Sequence, residues 1–262
     1  MRTWIPENRF LPYLTWPQVD ALPRKETLFI LPTAAIEQHG HHLPLATDTL
    51  LNNYILGHAL ELLPPELSIY ALPPICYGKS NEHIGFPGTL SVSASTLMAV
   101  IRDVAQSLHA VGFKRLAFYN SHGGNSSLVD VMARDIRAEF GMQVFRLGAR
   151  VKLPGMSEQE ATFGYHAGEG ETALLLDATP DLVHTDKYTA AYIRQLDDPG
   201  TLLPEGGPAT YAWLTRDISP SGVLGDPGPS TAENGLAWRK LYAQALCAAM
   251  QEIYAYRNLQ EL

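Results

Sequence analysis

Arg115-Leu116-Ala117-Phe118-Tyr119-Asn120 runs without a break into Ser121-His122-Gly123-Gly124-Asn125, and from there into residues 126–140, where apolar side chains recur at helical spacing. The first six residues read as a strand, the glycine pair as a tight turn and the remainder as a helix, so the segment is a strand-turn-helix unit. A second strand lies at residues 27–33, Thr27-Leu28-Phe29-Ile30-Leu31-Pro32-Thr33, short, apolar and rich in β-favouring residues, as a strand buried on both faces must be. Further strand-like runs occupy 68–72 and 143–147, and helical periodicity marks 49–63, 94–111 and 231–256, the last apolar at Leu236, Leu241, Ala245 and Ala248. Such alternation predicts βαβ units and a doubly wound, three-layer α/β/α fold with a mainly parallel central sheet. Ligands of open α/β sheets gather beyond the carboxyl ends of the strands, where free backbone N–H groups are presented. His122 stands at one such end, and the turn after residue 33 stands at another; both are expected on one rim.

That second turn carries unusual chemistry. Glu37-Gln38-His39-Gly40-His41-His42 holds three of the nine histidines and leads to Asp48. Carboxylates interleaved with imidazoles suit a divalent ion such as Zn, Mn or Fe. In extended chain Glu37 and His39 project to one side, while Gln38 points away. A third cluster, Tyr165-His166-Ala167-Gly168-Glu169-Gly170-Glu171-Thr172, precedes an apolar run that opens at Ala173. Glu171 reads as an acidic residue favoured by a helix start, whereas the glycines flanking Glu169 place it, with His166, in a tight loop. His83 reads either as a residue of the pocket entrance or as a structural one. His41 and His42 read either as hydrogen-bonding neighbours of the ligands or as structural residues. His58, His109 and His184 lie apart from these motifs.

Four ordered motifs carry a family resemblance: Glu37-Gln38-His39-Gly40 with Leu43-Pro44-Leu45 and Asp48; Tyr77-Gly78-Lys79-Ser80-Asn81-Glu82-His83 with Phe86-Pro87-Gly88-Thr89; Asn120-Ser121-His122-Gly123-Gly124-Asn125; and His166-Ala167-Gly168-Glu169-Gly170-Glu171-Thr172. Together they resemble the creatininase (creatinine amidohydrolase) superfamily over residues 25–180, and Gly225-Asp226-Pro227 resembles its C-terminal element. The resemblance implies a creatininase-like fold and two divalent metal ions per chain, Zn and/or Mn with Fe as a further option. Asp48 would bridge them, Glu37 and His122 would complete one ion, and His39 with a further carboxylate the other. A carboxylate has two oxygens with which to bridge, whereas a neutral imidazole offers one free nitrogen. Creatinine-hydrolysing members supply the further carboxylate from a Tyr-Glu pair directly after the third-motif histidine, and this chain has Gly123 and Gly124 there. In Gly-Gly members of the family the His-Ala-Gly-Glu pattern brings its glutamate to the same rim, so the resemblance implies Glu169 as the replacement, with Asp226 and Glu82 as the other carboxylates to consider.

His166 resembles the family's catalytic histidine, a general acid for the leaving nitrogen, and Ser80, Gly123 and Gly124 occupy substrate-contacting positions. The implied reaction is metal-dependent hydrolysis of a C–N bond in a small cyclic amide or formamide-type substrate. Thr162 and Phe163 stand where creatinine-hydrolysing members have a Trp-Asp pair, which argues against creatinine itself. The alternatives are a metallopeptidase of cofactor maturation and a non-catalytic metal- or ligand-binding relative.

Composition narrows the field. With 262 residues, 46% of them hydrophobic, and no long polar tract, one domain spanning 1–262 with a single sizeable core is expected. A net charge of −8 without a basic stripe argues against nucleic acid or an anionic membrane as partner and leaves a small-molecule substrate. Cys76 and Cys247 form no disulfide framework. The start Met1-Arg2-Thr3-Trp4 lacks the apolar run of a signal peptide, and no stretch reaches the roughly 18 apolar residues of a membrane span, so a cytoplasmic protein is expected. Residues 197–230 break the rhythm with Pro199, Gly200, Pro204, Gly206, Gly207 and Pro208, then Pro220, Gly222, Gly225, Pro227, Gly228 and Pro229, predicting an arm or lid on which Tyr211 and Trp213 cover the pocket or a neighbouring subunit. The resemblance adds a homohexamer.

Overall fold

The computed structural model describes residues 3–198, 200–204 and 207–256. Its central sheet contains β1 (Leu28–Thr33), β2 (Ile69–Ala71), β3 (Arg115–Asn120) and β4 (Gln143–Leu147), all parallel, in the order β2-β1-β3-β4. Eight helices accompany it among the described residues: α1 (Trp16–Asp20), α2 (Thr47–Glu61), α3 (Ala94–Ala110), α4 (Ser126–Phe140), α5 (Glu158–Phe163), α6 (Glu169–Ala178), α7 (Thr215–Ile218) and α8 (Ala232–Ala255).

The pleat sorts the strand residues into two cores. Leu28 and Ile30 of β1 face one side, where Leu56 and Leu60 of α2, Leu174 of α6 and Trp238 and Met250 of α8 pack on them. Phe29 and Leu31 face the other side, against Leu97 and Ile101 of α3 and Met132 and Ile136 of α4. Alternate residues of one strand thus enter opposite layers, and burying each such side chain contributes about 1.5–3 kcal/mol. The three-layer α/β/α architecture with a parallel sheet is as the sequence predicts.

Two details of topology position the site. Thr33 pairs with Asn120, so β1 and β3 end level with one another. From β1 the chain winds outward through α2 to β2, then returns across β1 through α3 to β3. The winding direction reverses between β1 and β3, and their carboxyl ends border the crevice in which doubly wound sheets bind ligands.

Helix α6 begins at Glu169, four residues before the apolar run that reveals it in the sequence. It lies against α8 with almost no spacing: a Cβ on Gly235 would stand 1.9 Å from the Ala173 carbonyl oxygen. Gly235→Ala is expected to push these helices apart and cost about 1–3 kcal/mol, seen as a lower denaturation midpoint in urea with an unchanged slope. A midpoint equal to the parent's would show that the contact yields freely. On α8 the buried Trp238 donates its indole N–H to the Pro154 carbonyl (3.0 Å), tying residues 151–156 to the scaffold.

The Pro/Gly-rich segment divides into two unlike halves. Pro199 and Gly206 lie outside the described residues. Leu202–Leu203 and Ala209–Thr210 form a two-residue parallel pair, β5 and β6, and Tyr211 is exposed. From Thr215 onward the chain turns inward: Thr215, Ser219, Val223 and Leu224 are buried, and Leu224 exchanges backbone hydrogen bonds with His166. This half is a wall of the site, because its backbone completes the pairing that the His166 turn needs.

Candidate metal centre

Beyond β1 residues 34–38 form no regular element. The Glu37 N–H donates to the Leu45 carbonyl (2.9 Å), which closes the turn on itself. Gly40 adopts φ +68°, and a Cβ there would meet Val223 at 2.5 Å, so the reversal after His39 requires glycine. Asp48 is the second residue of α2, where a carboxylate is favoured by the free N–H groups and dipole of a helix start. His122 follows β3 directly. Glu37, His39, Asp48 and His122 are all buried.

These side chains converge. His122 Nδ1 lies 3.3 Å from Glu37 Oε1 and 3.4 Å from Asp48 Oδ2. His39 Nε2 lies 3.5 Å from Asp48 Oδ1 and 3.8 Å from Glu171 Oε1. Each ring is fixed from behind: His39 Nδ1 donates to the Glu37 carbonyl (3.1 Å) and His122 Nε2 to the Lys79 carbonyl (3.1 Å). A carbonyl only accepts, so on each ring in its neutral form the nitrogen that faces inward carries the lone pair. Glu37 Oε2, His39 Nε2 and Asp48 Oδ2 are buried without a hydrogen-bond partner. Buried polar atoms are almost always paired, so lone-pair donors left facing one another are an arrangement that a cation completes. His39, Asp48 and Glu171 offer donor atoms within 4.8 Å of one another, as do Glu37, Glu82 and His122, and Glu37, His39 and His166.

The electrostatics agree. Burial alone would lower His39, but Asp48, Glu171 and Glu37 overcome it and raise its pKa to about 9. His122 is likewise raised against burial by Asp48 and Glu37. Burial pushes Glu171 up to about 7 despite His39, with Asp48 and Glu37 adding to the rise. A buried, carboxylate-rich cluster calls for positive charge, and a proton on these rings stands in for it. In contrast, burial and the positive field of His39 hold His166 well below the usual histidine range, and burial with His166 lowers His83 to about 3.

Of the residues expected from sequence, Glu37, His39, Asp48, His122 and His166 are brought together, and Glu169 is not. The reason is helical phase. Glu169 and Glu171 sit two positions apart in α6, about 200° around its axis, so the two side chains face opposite ways. The Glu171 carboxylate reaches His39, whereas Glu169 faces Glu160 and Asp226. Reading Glu169 as part of a tight loop missed that phase. The capping role read for Glu171 is also present, since its Oε2 accepts the Ala167 N–H at 2.7 Å.

Ser80 is fully buried and its hydroxyl lies 3.2 Å from His122 Nε2, behind the ring. A Cβ on Gly124 would stand 2.3 Å from Glu82 Oε1 and 2.6 Å from His122 Nε2, so the missing side chain makes room for the Glu82 carboxylate; at Gly123 the space is open. His42 bonds Thr172 (3.0 Å) and links the turn to α6. Gln38, expected to point away, is instead buried among His83, His166 and Gly222. Beside Glu171 opens a cavity of about 680 Å³, lined by Val151, Leu153, Met156, Tyr165 and Tyr242 among others.

The model of the creatinine amidohydrolase (creatininase) family matches residues 12–250. The chain belongs to the creatininase family. Among its relatives, a mycofactocin precursor peptide peptidase of Mycobacterium ulcerans is 34% identical over 236 residues, 88% of this chain and 82% of that protein. A creatinine amidohydrolase of Pseudomonas putida is 30% identical over 242 residues, 85% of each chain. A solved structure described as creatininase Mn superposes with a TM-score of 0.74 at 26% identity, covering 95% of this chain and 99% of that one. The creatininase family is a family of hydrolases. No helix among the described residues is long and apolar enough to cross a membrane.

Proposed function

We propose that the chain is a metal-dependent amidohydrolase acting on an amide carried by a short peptide. The observation that carries the metal assignment is the convergence of buried donors, Glu37 Oε1 and Asp48 Oδ2 on His122 Nδ1 and Asp48 Oδ1 and Glu171 Oε1 on His39 Nε2, with His39 Nε2 and Asp48 Oδ2 left without a hydrogen-bond partner. Glu37, His122 and one oxygen of Asp48 would hold one divalent ion; His39, Glu171 and the other Asp48 oxygen would hold a second. Mixed carboxylate and imidazole donors suit Zn or Mn, and a structural relative is described in a manganese form. What divalent ions supply in such a donor set is a nucleophilic water at neutral pH and polarisation of the scissile carbonyl.

The chain's own groups do the rest. His166, held neutral by burial and by His39, has a nitrogen facing Glu37 at 3.8 Å. There it can take up a proton released during attack and return it to the leaving nitrogen, which departs poorly unprotonated. The lining of residues 151–156 beside Glu171 would contact a bound substrate.

The cavity turns the substrate reading from a small cyclic amide towards a peptide. About 680 Å³ is large for a single five-membered ring and lies in the usual range for a larger ligand. Its lining joins Leu153, Met156 and Tyr165 to Lys152, Glu158 and Glu160, which suits a peptide carrying both apolar and charged groups. A relative named for a precursor peptide is also more similar than one named for creatinine. A metal-supplemented screen over short peptides, cyclic ureides, formylaminopyrimidines and creatinine, with Asp48→Ala as the blank, tests the reading. Peptide turnover by the parent above the blank is expected; turnover of a ring substrate alone would return the assignment to the small cyclic amides.

A further inference from the structure

Three imidazoles stack beside the candidate ligands. The His166 ring lies between His39 (centroids 4.1 Å apart, 34° between planes) and His83 (4.2 Å, 30°). One side chain touches two of the three. The amide of Gln38 is 4% exposed, with its nitrogen 2.8 Å from His83 Nδ1, 3.1 Å from His166 Nε2 and 3.0 Å from the Gly222 carbonyl.

The orientation of that amide is settled by backbone groups alone. Its oxygen accepts the Gly40 N–H (2.9 Å) and its nitrogen donates to the Gly222 carbonyl, and neither bond survives a flip. His166 is settled in the same way. Its Nε2 lies 2.6 Å from the Gln38 backbone carbonyl, which only accepts, so Nε2 carries the hydrogen. A protonated ring nitrogen cannot accept, so the second amide hydrogen of Gln38 goes to His83 Nδ1. His83 must then carry its own hydrogen on Nε2, which faces Glu37 Oε1 at 3.4 Å.

We infer that Gln38 is a positioning residue: its backbone carbonyl and side-chain amide together set the neutral tautomers of His166 and His83. His166 presents a bare Nδ1 towards Glu37, and His83 presents an N–H. Of the three imidazoles around Glu37 Oε1, His122 is a candidate ligand, and the other two are thus made unlike, His166 able to take a proton and His83 to donate a hydrogen bond. The device is anchored from the Pro/Gly-rich wall. Gly222 adopts φ +83°, a Cβ on it would lie 1.9 Å from Gln38 Oε1, and the Thr215 hydroxyl makes a second contact with His83 Nδ1 (2.9 Å).

This inference rests on the proposed hydrolytic role only for its kinetic consequence; the tautomers themselves are independent of substrate. The test is long-range ¹H–¹⁵N spectroscopy of zinc-loaded protein labelled at histidine, for the parent, Gln38→Glu and Gln38→Met. In the parent, His166 and His83 are expected to show protonated Nε2 and bare Nδ1. In Gln38→Glu a carboxylate faces His83 Nδ1, and the His83 hydrogen is expected to move there. Gln38→Met should leave His166 on its carbonyl and free His83 to populate both forms. Turnover in both variants should fall roughly 10- to 100-fold, the range for loss of an orienting partner, with KM little changed. A parent His166 protonated at Nδ1 would overturn the inference even if neither variant folds, as would a His83 indifferent to both substitutions. Tautomers as expected in a protein that cleaves no C–N substrate would uphold the inference and sink the proposed function.

Discussion

Glu171→Gln is expected to cut bound metal from about two ions per chain to about one, the loss of one member of a two-metal site, while Glu169→Gln leaves the content unchanged. The contrast follows from α6: Glu171 faces His39 and Asp48, and Glu169 faces Glu160 and Asp226 on the opposite side. An amide retains one oxygen and the size of the carboxyl group but lacks its charge, so it completes the His39 donor set poorly. Turnover should follow the metal. Losing several kcal/mol of charge stabilisation corresponds to about three orders of magnitude in rate, against little change for Glu169→Gln. Inductively coupled plasma measurement after exposure to Zn or Mn reads the stoichiometry. Two ions in Glu171→Gln, or one in Glu169→Gln, would reverse the assignment. A parent that binds none or one would favour the non-catalytic reading.

His166→Ala is expected to separate chemistry from metal binding. The ring is buried and its outward nitrogen is committed to the Gln38 carbonyl, so removing it takes away a proton carrier without touching His122 or Asp48. Metal content should remain at the parent level, and kcat should fall by about 10²- to 10⁴-fold, the usual contribution of a positioned acid or base. KM should move far less. Undiminished turnover in a metal-replete variant would remove His166 from the mechanism; loss of metal would make it a ligand.

Much of this molecule is legible in its sequence because its central strands are buried on both faces. Residues 28–32 and 116–119 are apolar without interruption, and the turns that follow them bring together glycine, histidine and acid. Level strand ends then bring Glu37 and His122 to one rim. What was not legible depends on phase and on distance along the chain. Periodicity showed α6 from Ala173, yet its first turn starts at Glu169, and that offset decides which of two glutamates faces the centre. An alternation rule places Gln38 opposite Glu37 and His39, but the chain turns at Gly40, and the wall from Thr215 to Leu224 returns to enclose the amide. No local pattern links residue 38 to residues 83, 166 and 222. The vacant space at Gly124 could have raised Glu82 in rank, had the loop of residues 79–82 been known to cross above it.

The two halves of the active region are fastened differently. The groups proposed to hold ions sit beyond strand ends and at helix starts inside the packed layers, whereas the lining at 151–156 is fastened to the last helix through the indole of Trp238. Loops so attached can change length and residue type while the catalytic floor stays fixed. A lineage built on this plan is free to exchange one substrate for another by rewriting a few residues at its margin, and kin at similar distances bear names as unlike as peptide peptidase and creatinine amidohydrolase.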